Sequence, residues 1–125
     1  MSRFLDDLHI RCYPGNDALF ILDHPLRYES DLLGCTVAVP KDFVTDLASI
    51  PGHIKWCHRE AVIHDYLYKT DSTPPVNQKT ADRVLLEAMT AQGKCKCVKM
   101  TVYSAVRLFG KSKFHQHPII VYEGE

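Results

Sequence analysis

The sequence predicts an α+β domain in which a small antiparallel β-sheet in the N-terminal third is followed by three helices, with a central antiparallel helix pair. Three features of the chain lead to that reading. Short runs rich in β-branched and aromatic residues, broken by turn formers, occupy residues 18–39. Apolar residues recur at helical spacing from residue 58 to residue 109. A polar loop, residues 45–52, separates the two periodicities. With 125 residues the chain can bury one core but not two, so 1–125 reads as a single domain. Its parts are a β-rich region with the loop (1–52), a helical region (53–110) and an extended tail (111–125).

Residues 1–17 are mixed and contain a strong turn signal, Pro14-Gly15-Asn16-Asp17. Ala18–Leu22 reads as a strand, Asp23-His24-Pro25 as a turn and Leu26–Glu29 as a return strand, so a hairpin is expected there. Cys35–Val39 is a further strand stopped by Pro40. The first helix spans about His58 to Thr70 and is ended by Asp71-Ser72-Thr73-Pro74-Pro75. The second begins near Asn77, carries Ala81, Val84, Leu85, Ala88 and Met89 on one face, and stops at Gly93. The third runs from about Cys97 to Phe109 through Val98, Val102, Ala105 and Val106, and ends at Gly110. Pro118–Tyr122 is an extended apolar segment that either adds a strand to the sheet or docks on another chain.

Fifteen basic and fifteen acidic residues cancel and are interspersed, which leaves no broad electrostatic footprint for nucleic acid. No apolar run is long enough to cross a bilayer and no secretion signal is visible, so the expectation is a soluble, cytoplasmic chain. Five cysteines, an odd number, read as thiols rather than a disulfide framework. Cys95 and Cys97 have one residue between them, short of the usual zinc spacing. Together with Cys57-His58 and His115/His117 they keep zinc open, with free thiols and solvated histidines the simpler reading.

Chemistry concentrates in the stretch Arg59–Tyr68. On a helix His64 and Tyr68 lie one turn apart on the same face, and Asp65 is rotated by about 100° from His64. One helix can therefore present a base and a metal ligand together. Asp82 shares a face with Leu85, Leu86 and Met89, where a carboxylate is costly unless paired. If the first two helices form an antiparallel hairpin across Pro74-Pro75, His64 lies about 9 Å from the turn and Asp82 about 7.5 Å, at similar height. An Asp bonded to one ring nitrogen would fix the tautomer and leave the other free to take a proton from water. Asp46, with the backbone carbonyl of Leu47, could join Asp65 in supplying oxygens to a hard cation such as calcium, water completing the set. The bland readings are a structurally held histidine, Asp82 paired with Lys79 or Arg83, and Asp46 capping a turn through Ser49.

Two resemblances enter here. The segments Phe43–Pro51 (F-x-T-D-L-A-S-I-P), His64–Tyr68 (H-D-Y-L-Y), Ala81-Asp82-Arg83 and Val106–Gly110 resemble a family of small uncharacterised domains of tailed bacteriophages and prophages. The likeness covers roughly residues 18–110. It implies a phage-encoded protein that acts in the cytoplasm of the infected host or is built into the virion, for instance as a tail or baseplate component contacting other phage structural proteins through its C-terminal tail.

The His-Asp-x-x-Tyr helix followed by a helix with an Asp is similar to phospholipase A2, especially its short prokaryotic form. That resemblance implies His64 as general base, Asp82 as its acidic partner, Tyr68 as support for Asp82, and Asp65 with Asp46 and the Leu47 carbonyl as calcium ligands. The expected substrate is a lipid or simple ester. The chain departs from the pattern in lacking the glycine-rich calcium loop, in having Ile63 and Leu67 where many of the secreted enzymes have cysteines, and in its N-terminal sheet. The His-Asp metal phosphohydrolases are a further alternative, with His53 or His58 as the extra ligand beside Asp82.

Overall fold

A computed structural model describes residues 2–46 and 58–124. The strands are β1 (Arg3–Phe4), β2 (Ile10–Tyr13), β3 (Asn16–Leu22), β4 (Leu26–Ser30), β5 (Cys35–Val39) and β6 (Val44–Thr45). The helices α1 (His58–Leu67), α2 (Gln78–Ala91) and α3 (Lys96–Phe109) follow, so the class is α+β. The strands form two three-stranded antiparallel sheets, β1-β4-β5 and β2-β3-β6, rather than the single sheet expected.

The expected hairpin between residues 18–22 and 26–29 does not form. Both edges of β3 are already taken, by β2 (Ile10↔Leu22 to Cys12↔Phe20) and by β6 (Phe20↔Thr45, Ile21↔Val44), so the returning strand has no edge to join. The corner at residues 23–25 carries the chain across to the other sheet, where β4 pairs with β5. Leu26, Tyr28 and Ser30 of β4 alternate inward beside Val37 and Val39 of β5, as a strand with one buried face requires. The tight turn of the β2–β3 hairpin uses Gly15 at φ 79°, a conformation that costs a residue with a side chain more than it costs glycine.

Helix α1 is buried at every position from Glu60 to Leu67. Its apolar residues Ala61, Val62, Ile63 and Leu67 join Leu22, Leu26, Tyr28, Val37, Val39 and Phe43 from the sheets, and Ala81, Val84 and Ala88 from α2. A second cluster, Leu85, Met89, Val102 and Val106, joins α2 to α3. Asn77 caps α2, its side chain accepting from Thr80 N at 2.8 Å. Early in α1 Arg59 and Glu60 meet Gln92 and Lys94, whereas at its end His64 and Tyr68 meet Asp82, so α1 and α2 run antiparallel.

The C-terminal tail docks on its own chain. Val44 N donates to Ile120 O at 2.9 Å and Tyr122 N to Asp42 O at 2.8 Å, which makes an isolated antiparallel bridge between Phe43 and Val121. Among the described residues no helix is long and apolar enough to cross a membrane. Cys12, Cys35, Cys95 and Cys97 are exposed free thiols, and Cys57 lies outside the described residues.

Glu87 fastens α2 to the β4 sheet. Its Oε1 accepts from Tyr28 OH and Ser30 Oγ, each at 2.7 Å, and its Oε2 accepts from Leu32 N at 2.8 Å. Tyr28 and Ser30 are buried, so removing Glu87 takes away the acceptor that both hydroxyls share. Glu87→Ala is expected to lower the free energy of unfolding by about 2–4 kcal/mol. Urea denaturation followed by circular dichroism would measure it; a change below about 0.5 kcal/mol would show that the carboxylate is not a structural tie.

Candidate functional site

Asp82 is fully buried on α2, and donors from two other helical segments converge on it. His64 Nε2 lies 2.7 Å from its Oδ1, Tyr68 OH donates to the same oxygen at 2.6 Å, and Arg107 NH1 of α3 donates to Oδ2 at 2.8 Å. Burial pushes the Asp82 pKa up, but the bonds from His64, Tyr68 and Arg107 together outweigh it and hold the carboxyl below its usual range. Burial, reinforced by the Asp82 bond, pushes the Tyr68 phenol up, so it stays a donor. With Asp82 ionised, His64 Nε2 is the donor of their bond. Nδ1 is buried and has no hydrogen-bond partner among the described residues.

Asp65, the next residue on α1, points elsewhere. Its Oδ2 accepts from Thr45 Oγ1 of β6 at 2.7 Å, and Lys69 Nζ lies 3.5 Å from Oδ1. Burial first and the neighbouring Asp46 carboxylate second push Asp65 above the ordinary carboxylate range, against Lys69, Thr45 and His64. Asp46 follows β6 directly, so that short strand delivers both the Thr45 bond and the second carboxylate. Leu47, expected to add a carbonyl, lies outside the described residues, as do Ser49 and His53.

Asp46, His64, Asp65, Tyr68 and Lys69 line one cavity of about 340 Å³. Its opposite wall is Ala105, Val106, Phe109 and Gly110 of α3, continued by Ser112, Lys113, Gln116 and His117 of the tail. The tail is held there by His115 N on Tyr68 O at 2.8 Å, Thr70 N on His117 O at 3.1 Å, and the Phe114 ring set edge-on to Tyr68 at 5.1 Å. Gly110 allows this approach, because a Cβ there would collide with the Tyr68 hydroxyl.

The expected partners of the site are thus together: His64, Tyr68 and Asp82 around one carboxylate, Asp46 and Asp65 at the same cavity. The cation on Asp82 is Arg107, whereas Lys79 and Arg83 are exposed. Counting helical rise from the α2–α3 turn places Asp82 about 14 Å and Arg107 about 17 Å away, so the heights that pair His64 with Asp82 were also a signal for Arg107. Lys69, four residues after Asp65, is the other addition, legible as an i,i+4 ion pair. Among the described residues no three His, Cys, Asp or Glu side chains form a metal-holding group, and the Cys95/Cys97 and His115/His117 pairs are exposed.

The depressed Asp82 pKa makes a pH-dependent contribution to stability. Its folded value lies below the unfolded one, so the contribution is complete above about pH 4 and is lost as pH falls from there through the folded pKa. Asp82→Asn is expected to cost on the order of 3 kcal/mol at pH 7 and progressively less below pH 4. Urea midpoints of both chains from pH 7 to pH 2.5 test this; a gap that stays constant across that range would mean that the ionised form of Asp82 is not what the three donors stabilise.

Comparison with known proteins adds one match. A family model covers residues 20–106, from β3 to near the end of α3, including His64, Asp65, Tyr68 and Asp82. No curated protein and no solved structure matches the chain. The family is described as "protein of unknown function (DUF1353)", and the length of the match shows that this chain belongs to it.

Proposed function

We propose that this protein is a calcium-dependent ester hydrolase of the phospholipase A2 type, encoded by a phage and acting in the infected cell or carried in the virion. The observation that carries the hydrolase reading is the His64 ring, bonded through Nε2 to a buried ionised Asp82, its buried Nδ1 without a hydrogen-bond partner among the described residues, on a residue that lines a cavity with Asp46 and Asp65. The phage assignment is supported by the motif likeness over Phe43–Pro51 and His64–Tyr68 alone.

In this reading His64 Nδ1 takes a proton from a water that attacks the ester carbonyl, and returns it to the leaving alcohol. Asp82 stabilises the imidazolium formed in between and holds the ring in one orientation; Tyr68 and Arg107 keep Asp82 ionised and fixed. Asp46 and Asp65 supply hard oxygen donors suited to calcium, and Leu47 O and water would complete the set. Calcium bound there would polarise the carbonyl and stabilise its developing negative charge. The apolar wall of Ala105, Val106 and Phe109 suits the acyl part of a lipid or simple ester. The His-Asp phosphohydrolase alternative is less well supported, since His64 commits a ring nitrogen to Asp82 and His58 is exposed.

One observation favours a second reading, a non-enzymatic component of a phage tail or baseplate. Leu108 and Phe109 are 73% and 72% exposed, and Ile120 and Val121 also face outward, which would suit contact with another structural protein.

His64→Ala separates the two. His64 is buried, so either reading expects the substitution to cost about 1–3 kcal/mol of stability. Only a hydrolase also loses about 10²–10⁴-fold in rate. A melting curve and an ester assay, with calcium and then with chelator, would be run on the unaltered and substituted chains. No hydrolysis by the unaltered chain in calcium, or an undiminished rate in the folded variant, removes the enzyme reading.

A further inference from the structure

The Asp65 carboxylate has its own cation. Lys69 follows it by one turn and places its ammonium 3.5 Å from Oδ1, with the two side chains only 15% and 10% exposed. Thr45 holds Oδ2, so Oδ1 is the oxygen left to meet a cation, and Lys69 already faces it. Local structure favours that arrangement twice over. A carboxylate four residues ahead of a lysine is the better order for such a pair, and Lys69 sits just beyond the C-terminal end of α1, where the helix dipole attracts positive charge. Asp46 lines the same cavity and repels Asp65, and the ammonium relieves that repulsion.

From this geometry, and resting on the calcium reading above, we infer that Lys69 is a tethered competitor for the divalent cation at Asp65. The ammonium holds Oδ1 in the folded chain, and a divalent ion binds by displacing it toward the cavity that Lys69 itself lines. A doubly charged ion between two carboxylates gains more Coulomb energy than a single ammonium, whereas a monovalent ion does not, so the lysine also selects for divalent ions. Apparent affinity scales with the fraction of chains whose site is open, and a lysine seated nine times in ten weakens binding about ten-fold.

Isothermal titration of the full chain with calcium chloride, unaltered and as Lys69→Met, tests the inference, since methionine keeps the apolar stem and removes the charge. The variant is expected to bind calcium at least about ten-fold more tightly. Equal or weaker binding by the folded variant, or no heat from either chain, overturns it. Should the variant fail to fold, the unaltered chain still decides. Acetylation by acetic anhydride, read by peptide mass spectrometry, should modify Lys69 several-fold faster in saturating calcium, with the exposed Lys41 as reference. An unchanged Lys69 rate overturns the inference. Tighter calcium binding by the variant without ester hydrolysis by either chain keeps the inference and removes the hydrolase; hydrolysis in calcium with unchanged affinity does the reverse.

Discussion

A carboxylate with no exposed surface sits one turn into α2, and the packing of the helices is arranged around satisfying it. Left alone, an ionised Asp82 in that position would cost several kcal/mol. It is satisfied by His64 and Tyr68 from the α1 segment and by Arg107 from α3, so the three helical elements are tied at one height by one residue. The apolar contacts around it are permissive by comparison. Leu85, Met89, Val102 and Val106 would tolerate some sliding of α3 on α2, but a bond of 2.8 Å from Arg107 would not.

The same constraint explains why α1 is buried on all sides. A surface helix ordinarily leaves one face to water. In α1 Glu60, His64 and Asp65 are interleaved around the helix with Ala61, Val62, Ile63 and Leu67, and each is covered by another segment: Lys94 near Glu60, α2 over His64, and β6 over Asp65. Burying three titratable groups on one helix is unfavourable for folding alone. Burial pushes Glu60 and Asp65 above the ordinary carboxylate range, whereas Asp82 is held below it. The opposite directions follow from the partners: Glu60 and Asp65 are desolvated with too little compensation, whereas Asp82 collects donors from His64, Tyr68 and Arg107.

Much of this was legible in the sequence, and the failures share a cause. Helical spacing and terminators located α2 and α3 closely, because Asn77, Gly93 and Gly110 act within a few residues of where they stand. Counting rise from a turn brought His64 to Asp82 because a short helical hairpin leaves little freedom. Which strand joins which edge is different: the 18–22 and 26–29 runs look like a hairpin locally, and only the arrival of Val44-Thr45 from a distance fills the edge that a hairpin would need. Arg107 was missed for a related reason. A single arginine among the apolar residues of α3 reads as a solvated charge until α3 is laid against α2, which brings it to Asp82.

The tail changes meaning once it is placed. As sequence, Pro118–Tyr122 offers apolar residues for docking elsewhere, but in the fold its backbone runs beside Phe43 and Val44, and the stretch before it closes the cavity. The bonds at Tyr68 O and His117 O and the Phe114 ring seat that stretch against the tyrosine that holds Asp82. A change at the C-terminus can therefore reach Tyr68 through Phe114, and from Tyr68 reach the His64–Asp82 pair. Losing the tail would remove a wall of the cavity and the Phe114 ring that packs on Tyr68, so residues 112–117 are structurally continuous with the cluster around Asp82.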